Sequence, residues 1–250
     1  MDKNKIDFIL SQADTALILG QRLGEWCGHG PVLEQDIAMT NIALDYVGRA
    51  RLLYTYATEF EGKGETEDHL AFLRDEREFK NLLLSEHPNV DFAFTVCRQF
   101  FLDAYFVPLF EALSSNEDNR LAHIAEKSLK ECHYHLRWSS EWMIRLGDGT
   151  EESHHRIQSA VDKLWEYTGE IFDATDYEKK LQEKNLIPQY STLKIKWEAT
   201  MVSVFDEAKI IKPKDNWFQK GGKNGIHTEK LGFILADMQY IQRAYPGLEW

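Results

Sequence analysis

The stretch Asp91-Phe-Ala-Phe-Thr-Val-Cys-Arg-Gln-Phe100 and its continuation Phe101-Leu-Asp-Ala-Tyr-Phe-Val-Pro-Leu-Phe-Glu-Ala-Leu113 decides the fold. Phe92, Phe94, Phe100, Phe101, Tyr105, Phe106 and Phe110 surround it on nearly every side. A helix apolar all round belongs in the middle of a core. Pro108 removes a backbone bond to the Ala104 carbonyl and predicts a kink. Outward from this centre the 3.6-residue period recurs. Ile6, Ile9, Leu10, Ala13, Ala16 and Leu17 share one face of a first helix, which ends near Gly24 before the breakers Gly28-His29-Gly30-Pro31. A second runs from Val32 to Phe60, with Pro31 at its first turn, Glu34 and Asp36 at its positive start, and a stop at Glu61-Gly62-Lys63-Gly64. A shorter helix, Glu67 to Glu86, is expected before Pro88, with Leu73 to Glu78 pairing charges on a wet face.

Beyond the central stretch, a helix over Glu117 to Leu146 ends at Gly147-Asp148-Gly149, and Thr150 caps the next. Leu193, Trp197, Met201, Val204, Phe205 and Ala208 mark another. Thr228 starts a last one after the loop Gly221-Gly222-Lys223-Asn224-Gly225. No strand alternation, fixed-period repeat or low-complexity tract competes. Four long helices with shorter additions predict an all-α, elaborated four-helix bundle in one domain, residues 1–250.

Composition narrows function by exclusion. The 250 residues hold 29 Lys+Arg against 41 Asp+Glu, a net charge of −12 that disfavours nucleic acid and anionic membranes. No apolar run reaches membrane-spanning length, and Ser11, Gln12 and Asp14 interrupt any signal-peptide core. Cys27, Cys97 and Cys132 are scattered, as in a protein with reduced thiols, so a cytoplasmic location is expected.

Bundles of this kind often hold two metals, using one Glu from each of two helices and Glu-x-x-His from each of the others. Residues three apart project the same way, so both reach one ion. Of the nine histidines only His154 and His155 have an acid three positions earlier. Glu151 and Glu152 there sit in a first turn, where solvated acids are common. The carboxylates at core-like places are Asp14, Asp45, Asp103 and Glu131, one per long helix. Three after Asp45 stands Gly48, and three after Glu131 stands Tyr134. His135, at four, is turned aside. A buried polar network with Arg, Gln and His partners accounts for these acids better than a working metal site. Nucleophile elbows, dinucleotide fingerprints and phosphate loops are missing. Cys27 with His29 reads as a turn, as does the glycine-rich loop around Lys220 and Lys223.

Longer stretches carry a resemblance. Ala16-Leu-Ile-Leu-Gly-Gln-Arg-Leu-Gly-Glu-Trp-Cys-Gly-His-Gly-Pro31, Asp36-Ile-Ala, Asn41-Ile-Ala-Leu-Asp45 and Leu70-Ala-Phe-Leu-Arg-Asp-Glu-Arg-Glu-Phe-Lys80 open it. Tyr134-His-Leu-Arg137, Arg145-Leu-Gly-Asp-Gly-Thr-Glu-Glu-Ser-His154, Gly225-Ile-His-Thr-Glu229, Ala236-Asp-Met-Gln239 and Pro246-Gly-Leu-Glu-Trp250 continue it. Together they resemble the C subunit of the phenylacetyl-CoA epoxidases, with residues 173–190 matching least. The resemblance implies a ferritin-like fold and a role in aerobic phenylacetate degradation. In that family the A subunit holds the di-iron centre and the CoA thioester. A small B subunit is also required, and a reductase, the E subunit, supplies electrons from NADPH. The C subunit has lost the metal ligands and is structural. On this reading Asp14, Asp45, Gly48, Asp103, Glu131, Tyr134 and His135 are degenerate positions, and the chain carries no cofactor of its own. Trp26, His29 and Pro31, with Phe72, Arg74 and Arg77 from the 71–80 stretch, are the candidate contacts with the di-iron A subunit. The competing hypothesis is a self-sufficient metal-dependent oxidoreductase using Asp14, Asp45, Asp103, Glu131 and His135.

Overall fold

A computed structural model describes residues 2–61 and 65–248, which are all-helical, with no strand among them. The α-helices are α1 (Lys3–Gly24), α2 (Leu33–Glu61), α3 (Glu67–Phe72), α4 (Phe92–Leu113), α5 (Asn119–Gly147), α6 (Glu151–Leu164), α7 (Gly169–Phe172), α8 (Asp176–Glu183), α9 (Tyr190–Glu207) and α10 (Glu229–Ala244). Short polar side chains set most starts by accepting an otherwise orphaned first-turn N–H. Asp91 accepts from Phe94 N at 2.7 Å, Thr150 from Ser153 N at 3.2 Å and Thr228 from Lys230 N at 3.3 Å. The expected caps at Thr150 and Thr228 are therefore present, and α4 runs through Pro108. Of the expected breaker after α2, Gly62, Lys63 and Gly64 lie outside the described residues, as do Glu249 and Trp250 of the closing motif.

Two expectations are corrected. The helix expected over Glu67 to Glu86 stops at Phe72, and single 3-10 turns follow at Glu76–Glu78 and Leu83–Glu86. Leu73 to Glu78 is therefore no row of intrahelical pairs. Glu78 turns back to accept from Asp75 N at 2.7 Å, and the Arg74 side chain goes inside. Pro31 lies ahead of the first turn of α2, which begins at Leu33. Asp36 stands in that first turn, as expected. It accepts from Gly30 N at 2.9 Å and Gly28 N at 3.2 Å, closing the turn between α1 and α2. Those two donors hold its carboxyl below the ordinary range.

The chain divides into two compact units. The first comprises Met1–His87 and Gly221–Trp250. Here α1 packs along α2 and α3 lies against α10. The irregular segment 73–87 approaches the loop 221–225 so closely that glycine is demanded. A Cβ on Gly222 would stand 2.2 Å from the Asn81 carbonyl oxygen, and one on Gly225 2.3 Å from that of Arg77. Gly225 also has φ +77°, a conformation side chains disfavour.

The second unit comprises Pro88–Lys220. It pairs α4 with α5 and covers α4 with α6 and α9. Its centre is aromatic. Phe101 lies 5.7 Å from Trp165 and 6.4 Å from Phe205, and Trp197 stands 5.6 Å from Trp165 and 5.4 Å from Phe172, between ring centroids. The indole N–H groups are satisfied within this unit, Trp197 by the Phe101 carbonyl and Trp165 by Asp215, both at 2.9 Å.

Candidate functional site: a buried carboxylate network

Asp14 is wholly buried on α1. Its Oδ1 accepts from the Tyr54 hydroxyl at 2.5 Å and from Arg74 Nη2. Its Oδ2 accepts from Arg74 Nη1 at 3.2 Å and Lys80 N at 2.8 Å. A carboxylate offers about four lone-pair sites, and these bonds use all of them. Arg74 is equally committed. Nε donates to the Leu70 carbonyl at 2.6 Å, while Nη1 and Nη2 add Glu78 O at 3.1 Å and the Tyr54 hydroxyl at 3.2 Å. Its guanidinium carbon lies 4.2 Å from the Phe79 ring centroid. Burial alone would lower the Arg74 pKa, but the Asp14 carboxylate reverses that and keeps the guanidinium charged. Burial pushes the Tyr54 hydroxyl well above its ordinary value, with Asp14 adding to the shift.

Glu86 forms a second hub, also fully buried. Oε1 accepts from Asn81 Nδ2 at 2.9 Å, and Oε2 accepts from Thr228 N at 2.9 Å and the Thr228 hydroxyl at 2.6 Å. Its charge thus sits at the positive start of α10. His227 faces an oxygen on each side, Glu86 Oε1 at 2.7 Å from Nδ1 and the Phe79 carbonyl at 2.8 Å from Nε2. With an acceptor opposite each nitrogen, both carry a proton and the ring is an imidazolium. Burial lowers the His227 pKa, yet the hydrogen bond and charge of Glu86, with the Phe79 carbonyl and Asp14, together outweigh it and the net shift is upward.

Around these hubs, side chains satisfy the backbone of the irregular segment. Thr15 Oγ1 accepts from Leu82 N at 3.1 Å, and Arg22 Nη2 donates to the Glu86 carbonyl at 2.7 Å. From α10, Gln239 Nε2 donates to the carbonyls of Ala71 at 3.2 Å and Arg74 at 3.0 Å, and Arg243 Nη2 to Arg74 O at 2.8 Å. Both hub carboxylates are fully paired. The network binds segment 70–87 between α1 and α10 and leaves neither hub carboxylate a free site for an ion.

Within the first unit Asp14 and Asp45 do not share a level. On α2 the level of Asp14 is Tyr54, nine residues beyond Asp45, or about 13 Å at 1.5 Å per residue. Gly20, not Asp14, is the α1 residue opposite Ala43 and Val47. In the second unit Phe92 meets Trp138 and Trp142 edge-on at 6.3 and 4.9 Å. Eleven residues along each antiparallel helix, Asp103 comes level with about residues 127–131, so Glu131 is near its height. Asp103 and His135 are buried, Asp45 and Glu131 half-buried, and Tyr134 is 40 % exposed. A Cβ on Gly48 would meet nothing within 4 Å. His154 Nδ1 pairs with the Gly147 carbonyl at 2.7 Å and Glu152 with Arg156 at 2.7 Å, so that motif serves the start of α6. Among the described residues no group of three or more His, Cys, Asp or Glu is arranged to hold a metal, and the Asp14 donor set does not fit one.

Of the contact candidates, His29, Pro31 and Arg77 are exposed, and Trp26 and Phe72 half-buried. Arg74 is corrected: it is 6 % exposed, and its N–H groups point into its own unit. His29 Nδ1 lies 3.1 Å from the Cys27 carbonyl, a turn contact.

Three stretches singled out in the sequence, 70–80, 225–229 and 236–239, thus meet in one network through Arg74, His227 and Gln239. A family model described as phenylacetic acid catabolic protein matches residues 1–250. The chain belongs to that family. It is 48 % identical over 243 residues to the C subunit of 1,2-phenylacetyl-CoA epoxidase from Escherichia coli (strain K12), covering 97 % of this chain and 98 % of the relative. The phenylacetic acid catabolic family assignment accounts for the recognised motifs and implies a role in phenylacetate catabolism. No helix among the described residues is long and apolar enough to cross a membrane.

Sequence reasoning missed Glu86, His227, Arg22 and Gln239. Glu86 carried a signal, an acid shortly after Leu82-Leu83-Leu84. His227 carried none, because its partner is 141 positions away.

Proposed function

We propose that the chain is the non-catalytic, structural subunit of a phenylacetyl-CoA epoxidase, a cytoplasmic ferritin-like domain over residues 1–250. It binds the di-iron A subunit. With the small B subunit, and with the E subunit as NADPH-fed reductase, the complex carries out oxygen-dependent ring epoxidation. The observation that carries this reading is the saturation of Asp14 by Tyr54, Arg74 and Lys80 N. A carboxylate that a di-iron site would use is spent on an arginine, and Gly48 supplies no donor beside Asp45. The similarity to a protein named as one subunit of an epoxidase supports the pathway and the existence of partner subunits. The ferritin-like form is supported by the two pairs of long helices, 22 with 29 residues and again 22 with 29.

The test is reconstitution. Omitting this chain should abolish epoxidation while the di-iron partner retains its metal. Full turnover of phenylacetyl-CoA by the di-iron, B and reductase subunits without this chain would refute the structural role. Elemental analysis of the chain purified without chelators should find no stoichiometric iron, whereas two tightly held irons per chain would restore the oxidoreductase alternative.

A further inference from the structure

A cavity of about 400 Å³ opens on the surface of the second unit, lined by the first half of α9, the turn around α7 and the irregular strap 212–218. That volume falls in the range of about 300–1,000 Å³ usual for small-molecule sites. Its walls are rings: Trp165, Phe172, Tyr190, Trp197 and Phe218. The strap supplies Phe218, and the bare Cα of Gly169 lets that ring sit there, since a Cβ on Gly169 would stand 2.2 Å from Phe218 Cγ. The polar atoms of the lining already have partners. Trp165 Nε1 donates to Asp215 and Trp197 Nε1 to the Phe101 carbonyl, both at 2.9 Å. The Tyr190 hydroxyl donates to Glu178 at 2.6 Å, and that of Thr168 to the Trp165 carbonyl at 2.8 Å. The rings therefore offer the cavity carbon alone. Charges at the mouth come in opposed pairs, Lys212 with Asp215 at 3.5 Å, Lys194 with Glu198 at 3.8 Å and Lys220 with Asp173 at 3.2 Å.

We propose that this cavity binds a small, uncharged aromatic molecule of one or two fused rings. The inference stands apart from the subunit reading. Aromatic rings favour edge-on and offset contacts beyond simple burial. The lining already pairs in this way, with Phe172 meeting Trp197 edge-on at 5.4 Å. An apolar cavity of about 150 Å³ accepts benzene, so this one has room for a bicyclic ring. The balanced mouth selects against charge, because an ion of either sign would meet its like beside its opposite. It does suit one neutral polar group. The two longer pairs leave ammonium donors and carboxylate oxygens open to a hydroxyl or an amide.

The test is calorimetric titration of the full chain with 2-naphthol as the probe. Phe218→Ala, which removes a half-buried wall, should weaken binding about 10-fold. Ser191→Trp should weaken it as much by filling the mouth from an exposed position, with the unfolding midpoint unchanged. Lys163→Ala, exposed on α6 and outside the lining, should bind like the parent. The anion 2-naphthoate, the cation 2-naphthylmethylammonium and the saturated decahydro-2-naphthol should each bind about 5-fold more weakly than 2-naphthol. Equal or tighter binding of either ion overturns the selection against charge, and equal binding of the saturated alcohol overturns the aromatic assignment. No binding of 2-naphthol, or binding undiminished in both Phe218→Ala and Ser191→Trp, overturns the site. Binding by the isolated chain that disappears when partner subunits are added gives the cavity to a partner side chain, and the small-molecule assignment falls.

Discussion

The two units solve the same packing problem with opposite materials. Each contains a 22-residue helix followed by a 29-residue one. In the second unit the interior is a cluster of rings around Phe101, Trp165 and Trp197. In the first it is threaded by Asp14, Arg74, Glu86 and His227. The difference follows from what lies against the helices. Segment 73–87 has little regular structure, so its N–H and C=O groups need partners, and buried side chains supply them. Next to α4 the neighbours are helices whose backbone bonds are internal, so rings fill most of the interior, although Arg98, Asp103, His135 and Glu178 are buried there too. In the first unit the network at Asp14 and Glu86 accompanies irregular backbone.

That contrast can be broken. Arg74→Ala should destabilise the chain by about 3–5 kcal/mol in denaturant unfolding, because it strands a buried carboxylate. Adding Asp14→Leu should recover much of the loss, since removing both charges is far cheaper than removing one. If the double variant is no better than the single, Asp14 has another role. Trp197→Ala should cost about 3–5 kcal/mol as well, through a cavity. No second-site change of charge should repair it.

Smaller effects sharpen the comparison. His227→Gln should cost about 1–3 kcal/mol, the range for hydrogen bonds to charged groups. Its folded pKa is raised above the ordinary 6.5, so its contribution is complete below that pH. The contribution fades as pH climbs through the raised value. Equilibrium unfolding from pH 6 upward should follow this decline in the parent chain and lose it in His227→Gln. A parent curve flat across that window would contradict the imidazolium. Gly225→Ala should cost about 1–3 kcal/mol through its positive φ and the Arg77 carbonyl. Last, Lys196→Ala, which breaks an exposed pair with Glu111, should change stability by about 0–1 kcal/mol. A larger loss would show that the aromatic unit also depends on charge.

The helices were legible where the period was long and the caps local. Phe92 to Leu113, Thr150 and Thr228 follow from side chains within one turn. The 67–86 region misled because its charges suit a helix surface, and only tertiary context reveals that Arg74 turns inward to Asp14, 60 positions away. A buried network is present at Asp14, but in its second hub only Glu86 carried a local signal and His227 carried none. Testing each histidine only against the acid three before it cannot find a carboxylate far along the chain. Interfaces are harder still, since a stretch such as 71–80 looks equally polar whether it faces solvent or the interior.

The first unit is discontinuous, opened by residues 1–87 and completed by 221–250. During synthesis Asp14 and Glu86 leave the ribosome early, while His227, Thr228, Gln239 and Arg243 come last. The intervening 133 residues, 88–220, are available to fold first. Asp14 finds Tyr54, Arg74 and Lys80 within the first 87 residues, but Glu86 must wait for His227 and Thr228. A chain cut short before His227 therefore lacks the groups that close the Glu86 hub, so the first unit is complete only when the last residues arrive.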